Sequence, residues 1–326
     1  MDDLRWFASN SYTALIVPEL RRRGLRVATE GDRPARVAVA MSGHTAAHAW
    51  RFARRRGAPL VVYLWDLPPT GLGAGRPDRI WWLAGRFLRL PRLWNRYRRG
   101  SYFSLLHYIA ARAEEVWVPS KQTQQAVAER FGVRAVEVPF CYDSNRFISS
   151  RRSSAEAPRD GLPTLLTVSR LRRHKNQAAV IHAAALVDRP VRVRLIGRGP
   201  QRENLRALAA RLDVDCVIES AADDGTVTRA YQEASVAVCP SAFEGFGLTP
   251  IEAVASGVPV VASDIPPHRE FVGRAARLAP PHDPAALARA ITEALDAEPA
   301  DPALVADLTI EAAAARFHAS LLPVLR

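Results

Sequence analysis

Short apolar runs alternate with amphipathic segments along the first half of the chain. A short apolar run predicts a strand, and apolar positions spaced three or four apart predict a helix. The strands are expected at 4–8, 36–40, 59–65, 115–118 and 135–138. Because strand, helix and strand follow one another at this spacing in doubly wound parallel sheets, the pattern predicts an α/β domain.

The second half repeats the same alternation more regularly. Strands are expected at 164–168, 191–196, 214–218, 236–239, 258–262 and 276–278, with helices between them. Two more helices are expected at the end of the chain, at 284–295 and 302–322. The pattern therefore predicts two doubly wound parallel-sheet domains that face each other across a cleft, with ligands at the carboxyl ends of the strands.

A polar run rich in serine and arginine separates the two halves. It predicts a linker at 148–162 between an amino-terminal domain of residues 1–147 and a carboxy-terminal domain of residues 163–326. Two domains suit a chain of 326 residues, which is too long for one ordinary hydrophobic core. The last helix is expected to pack back on the amino-terminal domain.

Composition indicates a globular protein, since 48% of the residues are apolar. No uncharged apolar run approaches the roughly 18 residues that a spanning helix needs, and the first residues do not resemble a signal peptide. A cytoplasmic location is therefore expected. Cys141, Cys216 and Cys239 are scattered without the spacing of metal ligands, which predicts reduced thiols.

The net charge of +12 is unevenly distributed. Residues 1–150 contain 24 Arg and Lys residues against 12 Asp and Glu residues, so all of the excess lies there. A basic half is typical of proteins that bind nucleic acid, an anionic membrane surface or an anionic substrate, and composition does not choose among them.

The segment 76–99 combines eight arginines with several tryptophans and only one acidic residue. This composition favours a basic amphipathic segment that lies in the interface of an anionic membrane, at the inner face of the cell membrane. In the alternative, the aromatic side chains pack inward and the arginines form a solvated face. Nucleic acid is not favoured as a partner, because no recognition fold is evident.

Polar residues follow the predicted strands of the first half. Ser9 and Asn10 come after the first strand, His44 after the second and Asp66 after the third. Since the carboxyl ends of parallel strands bind ligands, these residues are candidates for an acceptor-facing surface. His44 equally suits a role as the cap of its helix.

The stretch 240–263, which combines a glycine-containing loop, a helix and the strand 258–262, predicts an anion site. Gly245 and Gly247 let the backbone approach a ligand, and the helix expected to open at Thr249 offers its amides and its dipole to a phosphate. The carboxylates of Glu244 and Glu252 suit vicinal hydroxyls, so a phosphorylated sugar or a nucleotide sugar is expected. In the alternative, Thr249 and Glu252 form a capping box.

Arg170 and Lys175 follow the first strand of the second half, where they are able to close on a diphosphate. A solvated charge run is the alternative, but Lys175 is one of only two lysines in an arginine-rich chain. Gly197 lies in another glycine turn from strand to helix, which is a weak signal by itself.

Four motifs in this order resemble those of a known family: Arg-Leu-x3-Lys-Asn at 170–176, Ile-Gly-x-Gly-Pro at 196–200, the segment 231–241, and Glu-Gly-Phe-Gly-Leu-x-Pro-x-Glu at 244–252. Together they resemble the donor domain of the GT-B retaining glycosyltransferases of glycosyltransferase family 4. The resemblance is specific over 163–282 and looser over the first half.

The resemblance implies a nucleotide-diphosphate sugar donor, retention of anomeric configuration, no cofactor and no obligatory metal. Arg170 and Lys175 would hold the diphosphate, Glu244 would hold the transferred sugar, and Glu252 the ribose. The backbone of Phe246, Gly247 and Leu248 would assist Glu244, and Gly197 and Thr249 would complete the donor-binding set.

The first half departs from the family, since Ser9 and Asn10 stand where many relatives have a glycine-rich loop and Trp65 stands where many have histidine. The acceptor and any assisting base are therefore open, with His44 as the candidate for a catalytic polar role. The prediction is a retaining glycosyltransferase that acts on a glycan or lipid-linked acceptor. The alternatives are a nucleotide-sugar epimerase of the same fold, and a catalytically silent protein that binds nucleotide sugars or polyanions.

Overall fold

The structure is a computed structural model that describes residues 1–8, 11–31, 33–67, 102–148, 161–220 and 223–326. The described chain forms two compact units. The first unit consists of Met1–Phe140 and Ala313–Arg326, and the second unit consists of Cys141–Ala312. Each unit contains a six-stranded sheet in which all described strand pairs are parallel.

The first unit alternates strands and helices. Its elements are β1 (Asp2–Phe7), α1 (Ser11–Arg22), β2 (Val27–Ala28), β3 (Ala35–Ala40), α2 (Gly43–Arg56), β4 (Leu60–Tyr63), α3 (described over 102–110), β5 (Glu115–Val118), α4 (Lys121–Phe131) and β6 (Val136–Glu137). The strand order is β2-β1-β3-β4-β5-β6. All four residues of β4 are buried, as expected for a parallel strand that helices cover on both faces.

The second unit continues the alternation. Its elements are α5 (Ser144–Ile148), β7 (Thr164–Val168), α6 (Gln177–Ala184), β8 (Arg192–Ile196), α7 (Arg202–Arg211), β9 (Cys216–Glu219), α8 (Asp224–Glu233), β10 (Val236–Cys239), α9 (Leu248–Ala255), β11 (Val260–Ser263), α10 (Pro266–Val272), β12 (Ala276–Ala279), α11 (Pro284–Leu295) and the first residues of α12 (Ile310–Leu321). The strand order is β12-β11-β10-β7-β8-β9, which places β7 beside β10.

The predicted fold class of two doubly wound parallel sheets is confirmed, with differences at element ends. The strand β2 was not predicted, because two residues are too few for a hydrophobic pattern. The helix expected at 302–322 is divided into a 3-10 helix, Pro302–Leu308, and α12. Thr309 between them has extended backbone angles, which end the first helix.

The unit boundaries differ from the predicted domain boundaries at both ends of the second unit. Phe147 lies in the second unit, where its ring contacts that of Tyr231. The end of the chain belongs to the first unit, where the buried ring of Phe317 contacts four other rings. These rings are Trp6, Tyr63, Trp117 and Phe140. Most of the predicted linker, 148–162, lies outside the described residues.

The predicted basic segment 76–99 also lies outside the described residues, so its interface role stays a prediction. Across the part of the chain that the structure describes, no helix combines the length and the apolar character needed to cross a bilayer.

Candidate functional site

The glycine loop predicted at an anion site connects β10 to α9 in the second unit. Gly247 is the N-cap residue of α9 and has φ +88°, in the left-handed region that favours glycine. With no side chain at the N-cap, the first amides of α9 receive no cap hydrogen bond from that residue. The helix start is therefore arranged as an anion-binding site.

The alternative of a capping box at Thr249 and Glu252 is wrong. The N-cap is Gly247, two residues before Thr249, and Thr249 lies inside the helix, where its hydroxyl donates to the carbonyl oxygen of Val168 at 3.1 Å. This bond ties the start of α9 to the end of β7. Glu252 is the fifth helical residue and only 6% exposed, so helix capping does not explain its position.

The structure brings Lys175 and Glu244 together in an ion pair, although 69 residues separate them. Both side chains are mostly buried, with 14% and 17% exposed. Burial acts to raise the pKa of the Glu244 carboxyl, but the charge and hydrogen bond of Lys175, together with a hydrogen bond from Ser241, hold the pKa below its ordinary value. Glu244 is therefore a carboxylate at neutral pH.

Hydrogen bonds to backbone carbonyl oxygens fix the turn that positions Lys175. Lys175 ends a short 3-10 helix, and Asn176 follows it with φ 55°. The Asn176 side-chain amide donates to the carbonyl oxygens of Pro240 at 3.1 Å and Pro281 at 2.6 Å. The amide of Ala242 donates to the carbonyl oxygen of His174 at 2.8 Å. These bonds join the lysine turn to the loop of Glu244.

Gly197 acts through a close approach of two backbone segments. A Cβ at Gly197 would lie 1.9 Å from the carbonyl oxygen of Ser169, which no side chain permits. The segment that Gly197 contacts leads directly into Arg170, whose side chain is exposed. Gly197 therefore shapes the turn that presents Arg170, and its direct contact with a donor stays a prediction.

His268 belongs to this site, and the sequence analysis missed it. Its ring is 1% exposed, and a Cβ at Gly247 would lie 3.0 Å from the ring atom Cδ2. Phe246 is also buried in this loop, with its ring centroid 4.6 Å from that of Phe271. No local signal identifies His268, because a lone histidine on an apolar helix is more often a core residue.

The residues predicted on the acceptor side lie in the first unit, where Ser9 and Asn10 fall outside the described residues. The alternative of His44 as a helix cap is wrong, because the Ser42 hydroxyl accepts from the amide of Thr45 at 3.3 Å.

The exposed His44 ring instead contacts that of Tyr102, with centroids 5.4 Å apart. Burial, and then the charge of the exposed Asp66, raise the pKa of Tyr102. Tyr102 therefore lies near both His44 and Asp66, which the sequence pattern did not indicate.

A basic pocket of about 250 Å³ also lies in the first unit. It is lined by Arg5, Phe7, Gly31, His48, Arg51, Phe52 and Arg55. Part of the positive excess of the first half is therefore concentrated around α2.

No group of three or more His, Cys, Asp and Glu residues suits a metal ion within the described ranges, and metal independence stays a prediction. Cys141 and Cys239 are buried and are not joined in a disulfide. Burial raises the pKa of Cys216 to about 11, so this thiol is protonated at neutral pH.

A known protein family matches most of the second unit. Residues 150–308 match the family Glycosyl transferases group 1. A D-inositol 3-phosphate glycosyltransferase from Streptomyces avermitilis is 42% identical over 108 residues, which are 32% of this chain and 22% of that protein. A phosphatidyl-myo-inositol mannosyltransferase from Mycolicibacterium smegmatis is 34% identical over 180 residues, 52% of this chain and 45% of that protein. The chain thus spans less than half the length of these relatives.

Solved structures match over the whole chain at low sequence identity. Sucrose-phosphate synthase from Thermosynechococcus elongatus has a TM-score of 0.69 at 17% identity, covering 100% of this chain and 96% of that chain. Anabaena HepE in complex with UDP-glucose has a TM-score of 0.67 at 16% identity, with the same coverage. The chain therefore has the GT-B fold, and its residues 150–308 are similar to the glycosyl transferases group 1 family.

Proposed function

We propose that the protein is a retaining glycosyltransferase of family 4 that takes its sugar from a nucleotide-diphosphate sugar. The observation on which the proposal depends is the Lys175–Glu244 pair beside the uncapped start of α9. A carboxylate, an ammonium group and a helix start without a side-chain cap match the hydroxyls and the diphosphate of such a donor. The family match of residues 150–308 supports this assignment.

The diphosphate is bound by Arg170, Lys175 and the first amides of α9. Arginine offers a planar fork to phosphate oxygens, and lysine acts as a point charge. Because Lys175 contacts Glu244, the sugar held by this carboxylate and the diphosphate held by this ammonium group lie next to each other.

The transferred sugar is bound by Glu244 and the backbone of Phe246, Gly247 and Leu248, and the ribose by Glu252. Thr249 holds the helix start in place through Val168.

In the transfer step, the bond between the anomeric carbon and the diphosphate oxygen breaks, and a bond to the acceptor oxygen forms on the same face. The proton of the acceptor hydroxyl passes to the departing phosphate oxygen. Positive charge develops on the sugar ring beside Glu244, and negative charge grows on the phosphate beside Arg170 and Lys175. Catalysis is therefore largely electrostatic positioning, with no cofactor and no obligatory metal.

The acceptor is a glycan or a lipid-linked hydroxyl compound, bound on the side of His44 and Asp66. The name of the Mycolicibacterium smegmatis relative, phosphatidyl-myo-inositol mannosyltransferase, is that of an enzyme acting on a lipid, which supports a lipid-linked acceptor. The protein would then work in the cytoplasm at the inner face of the membrane, through the basic segment 76–99. Nothing in the site favours an epimerase, and the intact donor-binding set disfavours a silent binding protein.

Transfer from radiolabelled UDP-glucose, GDP-mannose and ADP-glucose to lipid and glycan extracts tests the proposal. We expect one donor to label an acceptor with the wild-type protein, and Glu244→Gln to lose at least a hundredfold in rate, as is usual when a group that stabilises transition-state charge is removed. Glu293→Gln, on the outer helix α11, is the matched control and should keep the rate. Binding of a donor without transfer to any acceptor would contradict the enzyme assignment.

A further inference from the structure

The buried ring of His268 has one partner and one unused nitrogen. Its Nδ1 lies 2.9 Å from the carbonyl oxygen of Ser263, at the end of β11. Because a carbonyl oxygen only accepts, Nδ1 bears the hydrogen and Nε2 presents its lone pair. Nε2 is buried, and no described residue donates a hydrogen bond to it.

The unused nitrogen lies against the loop that holds Glu244. A Cβ at Gly247 would lie 3.3 Å from Nε2, so the glycine backbone passes directly over this edge of the ring. The titratable groups whose charges act on the ring are Glu244 and Lys175. Burial lowers the pKa of His268, and Lys175 adds to this while Glu244 opposes it, so the ring is neutral at neutral pH.

A buried acceptor without a partner is costly, and native proteins seldom keep one without a reason. The cost disappears when a small change in the loop brings a backbone N–H to Nε2. The left-handed Gly247 and the neighbouring Gly245 give the loop the freedom for such a change.

We propose that His268 is a positioning residue of the donor site, whose Nε2 accepts a hydrogen bond from the Gly245–Gly247 loop when the loop holds the nucleotide sugar. The inference rests on the proposed function. The ring does not touch the donor. It fixes the loop in the position in which Glu244 and the amides of α9 reach the sugar and the diphosphate.

Two substitutions separate the roles of the two ring nitrogens. The amide of His268→Gln reaches the place of Nε2 and loses the bond to Ser263. The shorter amide of His268→Asn keeps a donor near the place of Nδ1 and loses the acceptor at Nε2. We expect His268→Asn to raise the Kd for the bound sugar nucleotide about tenfold, as for a lost buried hydrogen bond, and His268→Gln to recover most of the affinity.

Calorimetric titration with UDP-glucose, GDP-mannose and ADP-glucose measures this difference, and thermal melts without nucleotide measure the cost to the fold. His182→Asn and His182→Gln, at an exposed histidine of α6, are the controls and should bind as the wild type does. If the wild type binds a sugar nucleotide and both His268 variants bind it with the Kd of the wild type, this inference alone is overturned. If the wild type binds none of the three, the proposed function fails and this inference fails with it.

Discussion

Two helices of the same structural type begin very differently in the two units. Both α2 in the first unit and α9 in the second unit follow directly after an interior strand of a parallel sheet. The hydroxyl of Ser42 caps α2, whereas α9 begins at Gly247, which has no side chain to offer. The first amides of α9 therefore stay open to an anion, and this difference distinguishes the proposed donor end from the acceptor side.

The surrounding charges differ in the same way. Beside α9, the charges of Lys175 and Glu244 are mostly buried and paired. At the start of α2, His44 and Asp66 are exposed, and solvent screens the charge of Asp66. A buried pair has one geometry and suits a constant ligand such as a diphosphate sugar, whereas exposed side chains leave room for different acceptors.

The strongest test of this comparison is to remove the buried pair. Lys175→Ala alone leaves the Glu244 charge buried without its cation, so we expect a loss of about 3 kcal/mol in unfolding free energy together with loss of transfer. The double variant Lys175→Met with Glu244→Gln removes both charges, and we expect it to regain most of this stability and still transfer no sugar. Urea denaturation and the transfer assay measure the two effects. Transfer by the double variant would contradict the role of the pair.

Gly247→Ala is the next largest change. It places a methyl group 3.0 Å from the His268 ring and forces an L-residue into a left-handed conformation, for about 1–2 kcal/mol of lost stability. Sugar-nucleotide binding should weaken because the loop shifts. Gly57→Ala, at the left-handed residue that follows α2, is the matched control, since no described atom lies within 4 Å of the added Cβ. It should cost stability and leave binding unchanged.

Removal of the cap of α2 sharpens the comparison from the other side. Ser42→Ala deletes the hydrogen bond to the amide of Thr45, so we expect about 1 kcal/mol of lost stability. Because the proposed donor site belongs to the second unit, nucleotide binding should not change. Thermal melts with and without nucleotide measure both quantities, and weaker nucleotide binding in this variant would show that the two helix starts are not independent.

The pH dependence of stability gives the smallest effect. The pKa of Glu244 lies below the ordinary value of 4.5, so its pair with Lys175 stabilises the fold above that pH. This stabilisation begins to decrease when the pH falls below 4.5, and it is lost once the pH has fallen through the lowered pKa of Glu244. Denaturation at pH 7 and at pH 3.5 should show that the stability gap between wild type and Glu244→Gln narrows in acid. A gap that stays constant would mean that the pKa of Glu244 is the same in the folded and the unfolded protein, which contradicts the stabilising role of the pair.

Local sequence patterns predicted most of the fold and the positions of the charged site residues. Strands such as β4 and β10 were predictable because buried parallel strands are continuous apolar runs. Arg170, Lys175 and Glu244 were predictable as candidates because each follows such a strand in a loop or turn. Their roles stay proposals.

The contacts that assemble the site could not be predicted from local patterns. Lys175 meets Glu244 because β7 and β10 are neighbours, and strand order is a property of the whole sheet. The two bonds of Asn176 and the ring of His268 depend on the same long-range packing. The capping-box signature at Thr249 failed because the left-handed Gly247 is the N-cap, two residues before Thr249.

The most direct test of the central claim is thermal stabilisation by UDP, GDP, ADP and dTDP. A ligand that binds only the folded state raises the melting temperature, by an amount that grows with ligand concentration above Kd. Arg170 is exposed, so Arg170→Ala should fold normally. Arg189→Ala, just before the amino end of β8 and paired with Asp296, is the control. We predict that one nucleotide stabilises the wild type and the control and has little effect on Arg170→Ala. If none stabilises the wild type, or if Arg170→Ala responds fully, the assignment of a diphosphate site at this end of the sheet is contradicted.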